Sequence, residues 1–255
     1  MRGVLLDIAG VLLEGGRTLP GATDAMARLR KGGVPVRFLT NSTRKPRRVL
    51  VNALASHGIA VETQELFTPA AAARDWLERF NYQPHLVIHP ALAEDFEGCA
   101  GNVPIAVVVG DAGPFFAFDM LNDAFRHLIA GAPFLALAAN RVFRDDDGEL
   151  SMDAGAFVHA LEFSSNVAPL VLGKPSPDFF AAACASMDCP PHAAVMIGDD
   201  CETDIAGALD AGVGQAVLVR TGKYAPGDET RMSPPPTATA DGIAEAVDLL
   251  LDGGL

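Results

Sequence analysis

Cysteine is scarce in this sequence, with four residues in 255: Cys99, Cys184, Cys189 and Cys201. None has the CxxC or Cys/His spacing of a metal site, so the pattern predicts reduced, mostly buried thiols rather than disulfides or bound zinc. Four histidines in the middle of the chain do not have the spacing of metal ligands either: His85, His89, His127 and His159. Any metal site is therefore expected to use oxygen ligands.

Long apolar runs are also missing. No segment approaches the 18 or more apolar residues of a membrane span, and no charged leader precedes an apolar stretch at the N-terminus. Basic residues are few, since 19 Lys and Arg face 32 Asp and Glu for a net charge of -13. Such a charge repels nucleic-acid phosphates. The sequence thus predicts a cytoplasmic protein with no membrane partner and no nucleic-acid partner.

One basic cluster departs from this acidic background. It lies in "NSTRKPRRVL" and contains Arg44, Lys45, Arg47 and Arg48. A cluster of this kind is most often the solvated face of a helix. The alternative is a positive field that draws in an anionic substrate.

Short apolar runs alternate with helical patterns along most of the chain, and 49% hydrophobic content is ample for a core. This alternation predicts an α/β fold with a mainly parallel sheet. The stretch "MSPPPTATAD" is predicted to be a rigid polar loop. The predicted strands are Val4 to Leu6, Val36 to Leu39, Leu86 to Ile88, Ile105 to Val109, Phe134 to Ala138, Leu170 to Leu172, Val195 to Ile197 and Ala216 to Val219.

Polar residues follow four of these strands at the point where each ends. They are Asp7 after "VLL", Thr40 and Asn41 after "VRFL", Lys174 after "LVLG", and Asp199 and Asp200 after "VMIG". Each could be a turn former if taken alone. Ligands of open α/β sheets bind outside the carboxyl ends of the strands, so together these residues are expected to form one site.

The segment between the two groups of polar residues has its own strands and helices but no comparable strand-end chemistry. This pattern predicts an inserted domain over residues 81–168, with a core built from residues 1–80 and 169–255.

The residue types predict the chemistry of the site. Carboxylates without a His or Cys partner form a hard-oxygen site suited to Mg²⁺. A lysine and a hydroxyl beside the metal supply positive charge and a hydrogen bond to phosphate oxygens. An aspartate can also act as the nucleophile of phosphoryl transfer, forming an aspartyl-phosphate.

The motifs "LLDIAGVLL", "RFLTNST", "LGKPSPDFF" and "MIGDDCETDIAGALDAG" occur in this order. They resemble the four motifs of the haloacid dehalogenase-like (HAD) phosphatases, and "VRTGKYAPGDE" and other stretches resemble the subgroup of the phospholysine phosphohistidine inorganic pyrophosphate phosphatases. The resemblance implies a Rossmann-like three-layer core with an inserted α/β cap of the C2 type. It also implies a homodimer through the cap.

The resemblance further assigns roles within the first two motifs. It implies that Asp7 is the nucleophile and a Mg²⁺ ligand, and that the backbone of Ala9 contacts the metal and the substrate. Thr40 and Asn41 would hold the transferring phosphoryl group.

In the last two motifs, the resemblance implies that Lys174 neutralises nucleophile and phosphate and that Asp199 completes the metal shell. Asp204 would be a supporting acid. Two roles stay open for Asp200, which could be a further supporting acid or the cap of a helix that begins near Glu202.

Ala9 occupies the position where the family usually has a second aspartate, the general acid and base, and the resembling subgroup has serine. Alanine cannot transfer a proton, and general acid-base catalysis is commonly worth about 10²- to 10⁴-fold. The sequence therefore predicts a phosphatase for activated substrates such as pyrophosphate and N-phosphoryl, aryl or acyl phosphates, slow on alkyl esters. The alternative is a weak or inactive protein that binds phosphate or acts as a scaffold.

The resemblance places cap loops next to the active site, which makes Asp111, Arg141 and Asp153 candidates for substrate specificity. The expected partner is a phosphorylated small molecule or a phosphoprotein. The segment "RDDDGEL" is predicted to be a solvated hairpin.

Overall fold

The computed structural model describes residues 2–99, 101, 103–144 and 149–253. The predicted hairpin "RDDDGEL" contains residues 145–148, "DDDG", and these four lie outside the described residues. The strands are β1 (Gly3–Asp7), β2 (Leu13–Glu14), β3 (Arg17–Thr18), β4 (Val36–Leu39), β5 (Leu66–Phe67), β6 (Gln83–Val87), β7 (Ile105–Val109), β8 (Phe134–Ala136), β9 (Val142–Arg144), β10 (Leu150–Met152), β11 (Leu170–Val171), β12 (Ala194–Gly198), β13 (Gln215–Val219) and β14 (Ala238–Ala240).

Helices connect most of these strands. Short 3-10 segments cover Thr63–Glu65, Pro90–Phe96, Gly113–Phe115 and Pro191–Ala193, and Cys201–Ala206 form a π-helical turn. The α-helices are α1 (Ala22–Lys31), α2 (Arg47–Ser56), α3 (Pro69–Phe80), α4 (Phe118–Ile129), α5 (Gly155–Ser165), α6 (Pro177–Ala185), α7 (Gly207–Asp210), α8 (Asp228–Arg231) and α9 (Ile243–Leu251).

The chain divides into two compact units, and the first contains Met1–Thr40, Val51–Phe67 and Lys174–Leu255. Its parallel sheet has the order β14-β13-β12-β1-β4-β5. Strand β1 is buried along its whole length and pairs with β12 on one side and β4 on the other. A fully apolar, central strand such as "VLL" is what a parallel sheet covered on both faces requires.

The second unit contains Asn41–Leu50 and Thr68–Gly173. Its parallel sheet has the order β11-β8-β7-β6. Helix α3 packs on one face of this sheet, and α4 and α5 pack on the other. The predicted insert of residues 81–168 lies within this unit, which also includes α3. Its assignment as a C2-type cap stays a prediction.

The prediction of an α/β fold with mainly parallel sheets is confirmed. Each predicted strand has a counterpart within a few residues. The prediction of a polar loop in "MSPPPTATAD" is wrong in part, because Ala238–Ala240 form the edge strand β14 beside β13. A three-residue strand of small and half-polar residues is too short to show a periodic pattern. The buried cysteines form no disulfide in the described chain: Cys184, Cys189 and Cys201.

Candidate active site

Asp7 is the last residue of β1 and is buried, with 6% of its surface exposed. In the register of β1 and β4 it pairs with Leu39, so Thr40 follows at the same edge of the sheet. The Thr40 amide donates a hydrogen bond to the carbonyl of Phe67 at 3.2 Å, and Thr40 is buried. The neighbouring strand β12 ends next to Asp199. Adjacent parallel strands thus bring Asp7, Thr40 and Asp199 to one edge, as predicted.

Lys174 lies at the same site, but the strand that precedes it belongs to a different sheet from the one predicted. The strand before it, β11, belongs to the sheet of the second unit, whereas Lys174 begins the last segment of the first unit. The expectation that Lys174 marks a strand end of the same sheet is therefore wrong. Its ammonium nevertheless lies 2.5 Å from Asp7 Oδ1 and 2.6 Å from Asp204 Oδ1.

Asp200 caps the π-helical turn that follows β12. Its carboxylate accepts hydrogen bonds from the amides of Glu202 and Thr203, both at 3.0 Å, and lies 3.0 Å from the Lys223 ammonium. Burial disfavours its ionisation, but Lys223 and these amides hold the pKa of Asp200 below its ordinary value. Of the two roles that the sequence left open, the structure shows the cap.

Asp204 lies inside the π-helical turn Cys201–Ala206 and is almost completely buried. The turn directs its carboxylate toward the site, where single ligand atoms of Asp7, Asp199 and Asp204 all lie within 4.8 Å of one another. Single π-helical turns occur often at functional sites, because the extra residue redirects a side chain. Sequence reasoning placed Asp204 only in a supporting role and missed its place in this carboxylate cluster.

Two loops close around the Asp199 carboxylate. Its Oδ2 accepts a 2.7 Å hydrogen bond from the Lys223 amide. The Thr221 hydroxyl donates to the Gly10 carbonyl at 2.5 Å and so ties the loop after β13 to the loop after Asp7. Gly10 and Gly222 have positive φ, and a Cβ on either would lie within 2.1 Å of Asp199 Oδ2. Both glycines were missed as site residues; the turn signal at Gly10 was the available clue.

The charges of the cluster do not balance. Among the described residues, three buried carboxylates face the single buried ammonium of Lys174. Burial, together with the charges of Asp7 and Asp204, raises the pKa of Asp199 to about 8. Burial also raises the pKa of Asp204, and Lys174 opposes this rise. Although burial disfavours its charge, the carboxylates of Asp204 and Asp7 raise the pKa of Lys174.

Such a cluster fits a hard divalent cation. Buried charges are stable only when they are compensated, and the all-oxygen donor set is the one that Mg²⁺ prefers. Asp7 and Asp199, with Asp204 beside them, are the side chains that could hold it.

Besides Thr40 and Asp200, two more predicted site residues, Ala9 and Asn41, contribute no side-chain ligand atom to this cluster, and the backbone role of Ala9 stays a prediction. The side chain of Ala9 is exposed, while its neighbours Ile8 and Gly10 are buried. Asn41 is the first residue of the second unit, and its role in substrate binding stays a prediction.

Two of the four cations of the basic cluster are paired with acids of the same unit. Arg44 Nε lies 2.5 Å from Asp111 Oδ2, and its guanidinium lies 4.5 Å from the centre of the Phe143 ring. Arg48 is paired with Glu94 at 3.2 Å. This agrees better with an ordinary helix face than with a field for substrates.

The other two specificity candidates of the second unit differ in burial. Asp153 is buried and accepts a 2.6 Å hydrogen bond from the Ala154 amide, and Arg141 is exposed. Their specificity roles stay predictions.

Family models match both halves of this site. A model described as haloacid dehalogenase-like hydrolase matches residues 4–100, and one described as HAD-hydrolase-like matches residues 171–246. The chain is 39% identical over 251 residues to human haloacid dehalogenase-like hydrolase domain-containing protein 2, covering 98% of this chain and 96% of that protein. The chain belongs to the haloacid dehalogenase-like hydrolase family.

Other members of the HAD family resemble the chain over its whole length. The phospholysine phosphohistidine inorganic pyrophosphate phosphatase of Rattus norvegicus is 38% identical over 257 residues, covering 98% of this chain and 94% of that protein. NagD from E. coli K-12 is 28% identical with a TM-score of 0.85, covering 96% of this chain and 98% of that one. The predictions that the chain belongs to the HAD family and is one of its phosphatases are confirmed.

The 4-nitrophenylphosphatase of Thermotoga maritima shares the fold, with a TM-score of 0.88, 24% identity and 97% coverage of both chains.

Across the described ranges, none of the helices is both long enough and apolar enough to cross a membrane.

Proposed function

We propose that this HAD phosphatase is a Mg²⁺-dependent enzyme that acts through an aspartyl-phosphate on Asp7. The observation that carries the proposal is the buried cluster of Asp7, Asp199 and Asp204 beside the buried ammonium of Lys174. A bound divalent cation would supply positive charge that neutralises the carboxylates and the phosphoryl oxygens. The remaining work falls to the side chains of this chain.

In the first step the Asp7 carboxylate attacks the phosphorus atom, a bond between oxygen and phosphorus forms, and the bond to the leaving group breaks. The leaving group takes the electron pair of that bond. The 2.5 Å contact with Lys174 orients the nucleophile, and the same ammonium balances charge that develops on the phosphoryl group. Thr40, at the same edge of the sheet, offers a hydroxyl to a phosphoryl oxygen.

In the second step a water molecule attacks the phosphorus, and the bond to Asp7 breaks. Both protons of the water leave with the inorganic phosphate, and the Asp7 carboxylate is restored. Asp204 acts as a positioning residue here, since it is fully buried and holds Lys174 against Asp7.

Ala9 determines which substrates react well. It offers no proton to the leaving group and no base to the attacking water, so good leaving groups are favoured. Pyrophosphate and N-phosphoryl compounds have such leaving groups, as have aryl and acyl phosphates. One relative is named a phospholysine phosphohistidine inorganic pyrophosphate phosphatase, which supports the same substrate class for this chain.

The test is phosphate release with and without Mg²⁺ from pyrophosphate, a phosphoramidate, an aryl phosphate and an alkyl phosphate. Wild type is expected to cleave the activated substrates and to spare the alkyl ester. The Asp7→Asn variant is expected to be inactive. Ala9→Asp is expected to raise the rate on the alkyl ester by about 10²-fold or more. A silent wild type with an active Ala9→Asp variant would show an assembled but disarmed site, as the scaffold alternative requires.

We also propose that the enzyme forms a homodimer through the second unit and acts in the cytoplasm. The dimer is supported by apolar side chains on α4 and α5, where Phe118 is 79% exposed and Phe163 is 91% exposed. Sedimentation velocity of wild type and of Phe163→Ser tests it. A monomeric wild type would exclude the dimer.

A further inference from the structure

Two loops of the first unit are joined by a side-chain hydrogen bond. The hydroxyl of Thr221, in the loop that follows β13, donates to the carbonyl of Gly10, in the loop that follows Asp7, at 2.5 Å. The two residues are 211 positions apart in the chain, so the bond connects segments that meet only in the folded protein. Thr221 therefore ties the loop beside the proposed nucleophile to the loop after β13.

Both loops enclose one carboxylate oxygen. A Cβ on Gly10 or on Gly222 would lie within 2.1 Å of Asp199 Oδ2, so the backbone of each loop packs directly against this oxygen. The Lys223 amide donates a hydrogen bond to the same oxygen at 2.7 Å. Gly10, Gly222 and the Lys223 amide are here named the Asp199 cradle. Because its walls come from both loops, the shape of the cradle depends on the distance between them.

Both partners of the Thr221 bond are fixed by their own backbone. The Thr221 carbonyl accepts a hydrogen bond from the Tyr224 amide at 3.2 Å, which closes a turn over these four residues. On the other side, the Gly10 amide donates to the Leu13 carbonyl at 2.8 Å. The hydroxyl bond therefore links two ordered segments and sets the separation between them.

We propose that Thr221 is a positioning residue for the Mg²⁺ site, since its hydroxyl holds the Asp199 cradle closed and keeps the Asp199 carboxylate beside Asp7. This role rests on the proposed function, because it takes the Mg²⁺ site of that function as given. The loss of an outer partner of a metal ligand costs about 10- to 100-fold in affinity. Thr221 acts on Asp199 through the cradle, so the expected loss is the lower value, about tenfold.

A role in stability alone is the competing explanation. Gly10 is buried, so the loss of the hydroxyl that its carbonyl accepts from destabilises the fold whether or not the cation site depends on it. The two explanations differ for molecules that are folded. A merely structural bond changes the unfolding midpoint, whereas a positioning bond also changes the affinity of the folded protein for Mg²⁺.

The experiment is calorimetric titration of the full chain with Mg²⁺ in the absence of substrate, under conditions where circular dichroism shows each variant to be folded. Thr221→Val removes the hydroxyl and keeps the branched shape, and its Mg²⁺ affinity should fall by about tenfold. Thr221→Ala also lacks the hydroxyl and should behave alike. Thr221→Ser keeps a hydroxyl and should recover most of the lost affinity. The Mg²⁺ concentration that gives half-maximal phosphate release should rise in Thr221→Val by the same factor.

Thr230→Val is the matched control. Thr230 lies farther along the same segment, and its hydroxyl also donates to a glycine carbonyl, that of Gly227, at 3.1 Å. Its partner is three residues away, so this bond joins no second loop. The Thr230→Val variant should bind Mg²⁺ like wild type.

The outcomes separate this role from the proposed function. Folded Thr221→Val that binds Mg²⁺ like wild type, or Thr221→Ser that binds it as weakly as Thr221→Val, would overturn the positioning role, while Mg²⁺-dependent phosphate release by wild type would leave the proposed function intact. Wild type that neither binds Mg²⁺ nor needs it for phosphate release would overturn the proposed function and the positioning role together.

Discussion

The two glycines beside Asp199 allow a sharp test of how the carboxylate cluster is built. Gly10 has φ +79° and Gly222 has φ +60°, and a Cβ on them would lie 2.1 Å and 2.0 Å from Asp199 Oδ2. Two positions with similar φ have open space around the added Cβ: Gly212 at +84° and Gly15 at +54°. The pairs Gly10 with Gly212 and Gly222 with Gly15 therefore separate backbone strain from the clashes of the added Cβ, which would meet Asp199 and also the Cα of the other glycine, at 2.9 Å from Gly10 and 2.6 Å from Gly222.

The magnitudes follow from these contacts. An alanine at positive φ costs about 1–2 kcal/mol of stability, and all four Gly→Ala variants bear this cost. At Gly10 and Gly222 the Asp199 carboxylate must also move by about 1 Å or more to reach an ordinary van der Waals contact. That movement breaks its 2.7 Å hydrogen bond with the Lys223 amide, which is worth about 1.5–3 kcal/mol above about pH 8, where the Asp199 carboxylate is charged.

Urea unfolding without metal above about pH 8, where Asp199 is ionised, and calorimetric titration with Mg²⁺ measure the two effects. Gly10→Ala and Gly222→Ala should each lose about 1.5–3 kcal/mol more than their controls. Their Mg²⁺ affinity should fall by about 10- to 100-fold, while the controls should bind Mg²⁺ like wild type. If Gly10→Ala and Gly212→Ala unfold alike and bind Mg²⁺ alike, then Asp199 does not need this close approach and the reasoning is wrong.

Three further predictions concern charges. Lys174→Met should lower the free energy of unfolding of the metal-free protein by about 3–5 kcal/mol, because it leaves buried carboxylates without a cation; an unchanged urea midpoint would contradict this. The stability of the metal-free protein should fall as pH rises from about 4 to about 8, since folded Asp199 keeps a proton that the unfolded chain releases. In the Asp199→Asn variant, the melting temperature should lack this part of its pH dependence. Asp111→Asn should lower the free energy of unfolding by about 1–3 kcal/mol, because it removes the charge from a buried contact with Arg44. Arg48→Gln, which removes an exposed ion pair with Glu94, should lower it by less than about 1 kcal/mol. Equal urea midpoints for the two variants would show that the burial of Asp111 is irrelevant.

Much of the first unit could be predicted because its signals are local. A buried parallel strand is a short apolar run, and the residue that follows it lies at the carboxyl edge of the sheet. This reasoning found Asp7, Thr40 and Asp199, and the type of these residues indicated an oxygen-ligand metal site. The interpretation of Ala9 came instead from the resemblance to the family, which has an acid at that position; alanine has no ionisable side chain and cannot replace it.

The sequence by itself thus determined the α/β class, most strands and the chemical type of the site. Only the tertiary structure decided which distant side chains meet. Lys174 follows a strand of another sheet, Asp204 enters the cluster through a π-helical turn, and His85 meets His127 because α4 packs on β6. Periodic patterns record burial and turns within a few residues, whereas contacts between remote residues depend on how whole elements pack, and no local pattern records that packing.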